Sequence, residues 1–317
     1  MTRMQAVPSG RFRHEAMLYA GEAGFMRASL DFIREGLARD EAVLVVVKAE
    51  KIAALRGALG RDGDAVDFAD MGHVGANPAR IIPAWQDFVE ESTAVGRGFR
   101  GIGEPIDTDR TPAELAECHV HEALLNLAFA DSAPWRLLCP YDVSTLPGPV
   151  VQEALRNHPI VVRHGVATGS GECRHDMARV LAEPLPEPDE ILAERDFDAS
   201  TLLQTRELVR RYAERQSCDA RVDDFVLATY EAATNSVRHA GGQGSLRIWC
   251  AEDAHVCDLS DTGRITDPLV GRSRSRPSPD QDSGRGVWIA NQLCDLVQLR
   301  VLPSGNVVRL HLRHTPA

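Results

Sequence analysis

The chain has 317 residues, enough for two domains, with a hydrophobic fraction of 44% that suits ordinary globular cores. Its net charge of −11 argues against nucleic acid as a direct partner. The longest apolar run, Ala42–Val47, is far below the roughly 20 residues of a membrane span, Met1–Gly10 has no charged-then-apolar leader, and the odd, scattered cysteines fit reduced thiols, so a cytoplasmic protein is expected.

In chain order, the first half alternates helical and strand-like segments. The pattern predicts helices over Gly24–Arg39, Ala49–Leu59, Ala79–Val95 and Pro112–Ala130. It predicts strands over Ala42–Val47, Ala65–Ala69, Phe99–Gly103 and Trp135–Cys139. Continuous apolar strands between helices imply an α/β fold with a largely parallel sheet covered on both faces. Glu183-Pro-Leu-Pro-Glu-Pro-Asp189 then interrupts every hydrophobic period and reads as a stiff, extended linker. The expected division is a first domain over residues 11–165, a linker over 166–194 and a second domain over 195–317.

The second half has another rhythm. Thr201-Leu-Leu-Gln204 is a capping-box pattern that opens a helix towards Gln216. A further helix covers Val222–Ala240, with Val222, Val226, Ala233 and Val237 near one stripe, and Gly241-Gly242 ends it. Strands follow at Ser245–Cys250 and His255–Ser260, then a polar stretch Arg264–Ser283, a helix Gly286–Cys294, and strands Leu296–Leu302 and Val307–Leu312. Helices on one face of a small mixed sheet are expected.

Lysine occurs only at Lys48 and Lys51, and neither is followed by Ser or Thr. A Walker A loop is therefore excluded. Three other pieces can build a nucleotide site. Glu231 and Asn235 are four residues apart and share a helix face, which suits a metal ion and an attacking oxygen. Asp261-Thr-Gly263 offers a fixed acceptor beside closely approaching backbone. Gly284-Arg285-Gly286 opens a helix, whose N-terminus favours phosphate. Taken singly, these are a solvated helix face, a turn and a loop; it is their order that carries the reading.

On these residues, about 195 to 313 resemble the GHKL (HATPase_c) ATPase superfamily, and most closely the bacterial anti-sigma-factor serine kinases. The resemblance implies a Bergerat α/β sandwich that binds ATP and Mg²⁺. It implies Asn235 as the magnesium ligand, Glu231 as general base and Asp261 as acceptor of the adenine amino group. Gly263 would leave room for the base, and Gly284, Arg285 and Gly286 would lie at the phosphates. It further implies phosphorylation of Ser/Thr on a STAS-type anti-anti-sigma protein, sequestration of a sigma factor, and a homodimer. Arg272, Arg274 and Arg276 in the short lid either meet phosphate or an acidic partner, or form a solvated loop. The hydroxyl residues common in the last strand turn of this family are missing from Gly305-Asn306-Val307-Val308; either Asn306 supplies part of that contact or nucleotide affinity is lowered. Two alternatives stay open: an ATP-dependent partner-binding switch without phosphoryl transfer, and a histidine-kinase-like protein with His121-Glu122 as phospho-acceptor box.

His14-Glu-Ala-Met-Leu-Tyr19, Asn77-Pro-Ala-Arg-Ile-Ile82, Gly103-Glu-Pro-Ile106, His121-Glu-Ala-Leu-Leu-Asn126 and Leu138-Cys-Pro-Tyr-Asp142 resemble the MEDS domain. This is a sensory module described in a dichloromethane-responsive regulator and related to RecA/KaiC-like folds, and the resemblance implies a sensing or docking role. Ligands of open parallel sheets bind beyond the carboxyl ends of strands, so Glu104, Cys139, Tyr141 and Asp142 are expected to line a pocket for a small molecule or partner. Cys118, His121 and Glu122 share a helix face and either hold a zinc ion or are polar surface residues beside a packed thiol.

Overall fold

The computed structural model describes residues 11–174, 177–216, 221–273 and 285–314, and the chain divides between Asp176 and Met177 into two compact units. The first unit runs β1 (Phe12–Tyr19), α1 (Gly21–Ala38), β2 (Ala42–Val47), α2 (Ala49–Leu59), β3 (Asp67–Asp70), α3 (Met71–Val74), α4 (Ile81–Ala94), β4 (Phe99–Gly103), α5 (Pro112–Ala128), β5 (Trp135–Asp142), α6 (Gly148–Asn157), β6 (Ile160–Arg163) and β7 (Val166–Gly169). Its seven strands lie in the order β3-β2-β4-β5-β1-β6-β7. Each neighbouring pair is parallel except β6–β7.

Local sequence explains the central strands. β2 is almost purely valine, and Val43, Val45, Val46 and Val47 are buried. In β4, Gly101 and Gly103 let Trp85 of α4 lie against the backbone; a Cβ at 101 would stand 2.5 Å from Trp85 Cζ3. α5 starts at a reciprocal capping box: Thr111 Oγ1 accepts from the Glu114 N–H (3.3 Å), and Glu114 Oε2 accepts from the Thr111 N–H (2.9 Å).

β1 carries Arg13, His14 and Glu15 in succession, so no apolar period marks it as a strand. It nevertheless lies inside the sheet between β5 and β6. Burial of Glu15 is compensated by Arg136, whose Nε and Nη2 donate to its two oxygens at 2.9 and 3.0 Å.

The second unit comprises α7 (Met177–Ala182), β8 (Ala193–Asp198), α8 (Leu202–Gln216), α9 (Val222–His239), β9 (Gln243–Cys250), β10 (Ala254–Asp261), α10 (Arg285–Leu293), β11 (Leu296–Leu302) and β12 (Gly305–Arg313). The sheet order is β11-β12-β10-β9-β8, and every described pair is antiparallel rather than mixed. α8, α9 and α10 contribute Val209, Val226, Ala233 and Ala290 to one core with Phe197, Leu246, Leu259 and Leu310 of the sheet. Val222, Val226 and Ala233 are buried as the stripe predicts, with Val237 partly so. The Thr201–Gln204 capping box does not close: Asp198 Oδ1 accepts from the Ser200 and Thr201 N–H groups, and Gln204 bonds Arg195 instead.

The boundary between the two units falls within the 166–194 stretch. β7 completes the first sheet. In the second unit, arginines strap down the Pro-rich stretch: Arg300 Nε donates to the Glu183 carbonyl (3.0 Å), Arg309 Nη1 to the Pro186 carbonyl (2.9 Å), and Arg247 pairs with Glu187 (2.7 Å). Prolines lack the donor that a sheet would need, but their carbonyls remain available to guanidinium groups. Among the described residues no helix is long and apolar enough to cross a membrane.

Candidate functional site

In the second unit the three sequence pieces meet around the C-terminal half of α9. Glu231 and Asn235 lie one turn apart, both half-buried. Among the described residues no hydrogen bond or ion pair engages the Glu231 carboxylate. Asn235 faces the start of α10: a Cβ on Gly286 would fall 2.3 Å from Asn235 Nδ2 and 3.2 Å from its Oδ1. Glycine at 286 is thus what lets the helix N-terminus approach the amide. Arg285, the first residue of α10, is exposed. Gly284 lies outside the described residues, as do Arg274 and Arg276. Arg272 is buried at 3% exposure, so the solvated-loop reading does not hold for it.

Asp261 ends β10 and is fixed from three directions. Ser236 Oγ, on α9, donates to its Oδ2 (2.7 Å). The Gly263 N–H and Asn306 Nδ2 donate to Oδ1, at 3.0 and 2.9 Å. Asn306 Oδ1 in turn accepts from the Ile265 N–H (3.1 Å), so one buried amide ties the carboxylate to the following loop. Asn306 reaches this place because Gly305 turns the chain at φ +136°, where a Cβ would collide with the Asp261 carbonyl oxygen at 1.8 Å. The space at Gly263 is filled from the protein side: a Cβ there would stand 2.5 Å from Ala240 Cβ, at the end of α9. A cavity of about 510 Å³ opens at this end of the sheet, bordered by Phe197, Gly244, Asp261, Thr262 and Asn306; Glu231 and Asn235 do not line it.

The residues present fit magnesium and a nucleotide. An amide oxygen donor, a carboxylate one turn away, and a helix N-terminus opened by glycine suit Mg²⁺, which takes few protein ligands, and phosphate. A carboxylate held rigidly by Ser236, next to Asn235 on α9, suits an exocyclic amine.

In the first unit, strand alternation separates the four residues expected to share a pocket. Glu104 and Asp142 belong to the carboxyl ends of β4 and β5. Lys51 Nζ donates to both Glu104 oxygens, at 2.7 and 2.5 Å, and to the Tyr19 hydroxyl at 2.9 Å, while that hydroxyl donates to Glu104 (2.7 Å). Burial raises the Glu104 pKa, and Lys51 opposes that shift. Asp142 accepts from the Gly21 N–H (3.2 Å). Cys139 and Tyr141 are instead fully buried, with Cys139 Sγ 3.4 Å from His14 Nε2 and the Tyr141 ring edge-on to His158.

The Cys118/His121/Glu122 grouping also separates. Cys118 Sγ donates to the Pro105 carbonyl (3.3 Å), and burial pushes its thiol up to about 12. Glu122 alone turns towards the buried histidines His14 and His158, which periodicity does not bring together. His121 is 1% exposed, so it is no accessible phospho-acceptor.

The chain thus carries a largely parallel α/β unit followed by an antiparallel α/β unit. Residues 13–159 match the family described as MEDS: MEthanogen/methylotroph, DcmR Sensory domain, and residues 197–312 match the Histidine kinase-like ATPase domain family. The chain carries a MEDS domain followed by a histidine kinase-like ATPase domain, the architecture of an ATP-binding regulator. No curated protein shows significant similarity to the chain.

Proposed function

We propose that the protein is an anti-sigma regulatory factor, with an ATPase-type domain that binds ATP with magnesium and phosphorylates a serine or threonine on an anti-anti-sigma partner, under control of the MEDS domain. The observation that carries this reading is the meeting of Asn235 with Gly286 at the start of α10, while Asp261 is held by Ser236, the next residue of α9. Asn235 would ligate magnesium, Asp261 would receive the adenine amine, and the α10 N-terminus with Arg285 would face the phosphates. Magnesium, when bound, supplies neutralisation of phosphate charge. Glu231, with no partner among the described residues, is free to take the proton of an incoming hydroxyl. Asn306 supports Asp261 where relatives use hydroxyl residues, which favours a preserved adenine end over a disabled one.

Calorimetry of ATP with and without magnesium, on wild type and Asn235→Ala, tests the site. Magnesium-dependent binding in wild type that is lost in the variant is expected; absence of binding in wild type would sink the reading. Sequestration of a sigma factor and homodimerisation belong to the same proposal and are tested by co-purification and by light scattering.

A further inference from the structure

Behind β1 and β5, the first unit contains four polar side chains that none of the foregoing uses. His14 comes from β1, Glu122 from α5, Cys139 from β5, and His158 from the turn between α6 and β6. All four are buried, and their donor atoms lie within 4.8 Å of one another. His14 Nε2 is 3.0 Å from Glu122 Oε2, His158 Nε2 is 3.2 Å from the same oxygen, and Cys139 Sγ is 3.4 Å from His14 Nε2. Donor atoms around a tetrahedral zinc ion are about 3.3–3.8 Å apart, given bonds of about 2.0–2.3 Å. The observed spacings of 3.0–3.4 Å reach the lower edge of that range.

The second layer fixes which nitrogens point inward. His158 Nδ1 lies 2.8 Å from the Ala154 carbonyl, an acceptor only, so Nδ1 carries the hydrogen. His14 Nδ1 lies 3.2 Å from Asn126 Oδ1, and that amide is oriented by its own Nδ2 donating to the Asn157 carbonyl (2.7 Å). With the hydrogen on Nδ1, each ring in its neutral form presents an Nε2 lone pair to the Glu122 carboxylate, the arrangement in which metal-ligating histidines are held by carbonyl partners. Lone pairs facing a carboxylate repel unless something positive stands between them. No lysine or arginine pairs with Glu122 among the described residues. Glu122 Oε1 has no hydrogen bond, and His158 Nε2 makes none despite its short contact.

We propose that His14, Glu122, Cys139 and His158 form a four-coordinate site for a divalent metal ion of the zinc class. Two imidazoles, a carboxylate and a thiolate are a borderline donor set that suits zinc. On binding, the Cys139 thiol loses its proton to solvent and its sulfur bonds the metal; nothing is oxidised. The ion's two positive charges are then balanced by one thiolate and one carboxylate, so the buried site is neutral overall, which burial of charge demands. With four protein donors the site is closed, as structural zinc sites are.

The test uses the full chain, stripped with chelator, dialysed against zinc and analysed for bound metal, with cobalt(II) as a spectroscopic substitute. One equivalent of zinc is expected, and cobalt is expected to give an intense thiolate-to-metal charge-transfer band. Cys139→Ser should lose the band, and His158→Ala should lose the equivalent, with unchanged circular dichroism. Cys250→Ser should keep both, which separates this site from the Cys250/His255/His314 grouping in the second unit. Wild type that takes up no metal overturns the proposal, whatever the variants do. So does a cobalt band that survives Cys139→Ser.

Discussion

The two units handle polar groups in opposite ways. In the first, His14, Glu122, Cys139 and His158 are sealed beneath the sheet, so their charge must be balanced inside the protein. In the second, Glu231 and Asn235 are half-buried, and the structure holds the neighbouring Asp261 by donors from α9, the following loop and β12 while leaving the α9 face open. A sealed cluster suits a ligand that enters once and stays; an open one suits a ligand that is exchanged or consumed. The difference follows from position: the first cluster lies between strand and helix surfaces, the second at the ends of elements, where backbone groups are unpaired.

The contrast is sharpest at Glu231. Glu231→Gln keeps the shape of the open face and removes its base, so phosphoryl transfer to the partner should fall roughly 10²- to 10⁴-fold while calorimetric ATP binding stays near wild type. Equal loss of both would mean that Glu231 serves binding. The contrast also depends on the rigid end of the open site. Gly305→Ala forces a side chain into the Asp261 carbonyl and should destabilise the second unit by about 2–4 kcal/mol. Urea unfolding would register this as a lower midpoint; an unchanged midpoint would show that the β12 turn moves freely.

Asn235→Ala should weaken magnesium-ATP binding by roughly ten- to a hundredfold, as expected for loss of a polar contact to a charged group at about 1.5–3 kcal/mol. Binding without magnesium should change little, and an equal loss in both conditions would reassign Asn235 from the ion to the nucleotide. The smallest effect is expected at Asn306. Asn306→Ala removes one of the two donors to Asp261 Oδ1 and should weaken ATP binding by about 1–2 kcal/mol, less if water fills the gap. No change would mean that the Gly263 N–H and Ser236 suffice to hold the carboxylate.

Sequence alone determined the parts of the protein that depend on short-range pattern. The valine run of β2, the apolar stripe of α9, the absence of a Walker lysine and the order Glu231–Asn235, Asp261–Gly263, Gly286 were all legible, because helical and strand periods and turn residues act over a few positions. The tertiary structure alone decided what depends on partners distant in the chain. β1 has no apolar period, yet it is an internal strand, where Arg136 meets the buried Glu15. The Pro-rich stretch reads as a linker until Arg300, Arg309 and Arg247 reach it from the second sheet. Cys139 and Glu104 read as neighbours at strand ends, but the two-residue period of the sheet turns the thiol inward to His14 while Glu104 meets Lys51. His14 and His158 are 144 positions apart in the sequence, and their rings come within 3.9 Å. No local rule encodes that approach, because it is the parallel pairing of β1 with β5 and β6 that brings the two rings together.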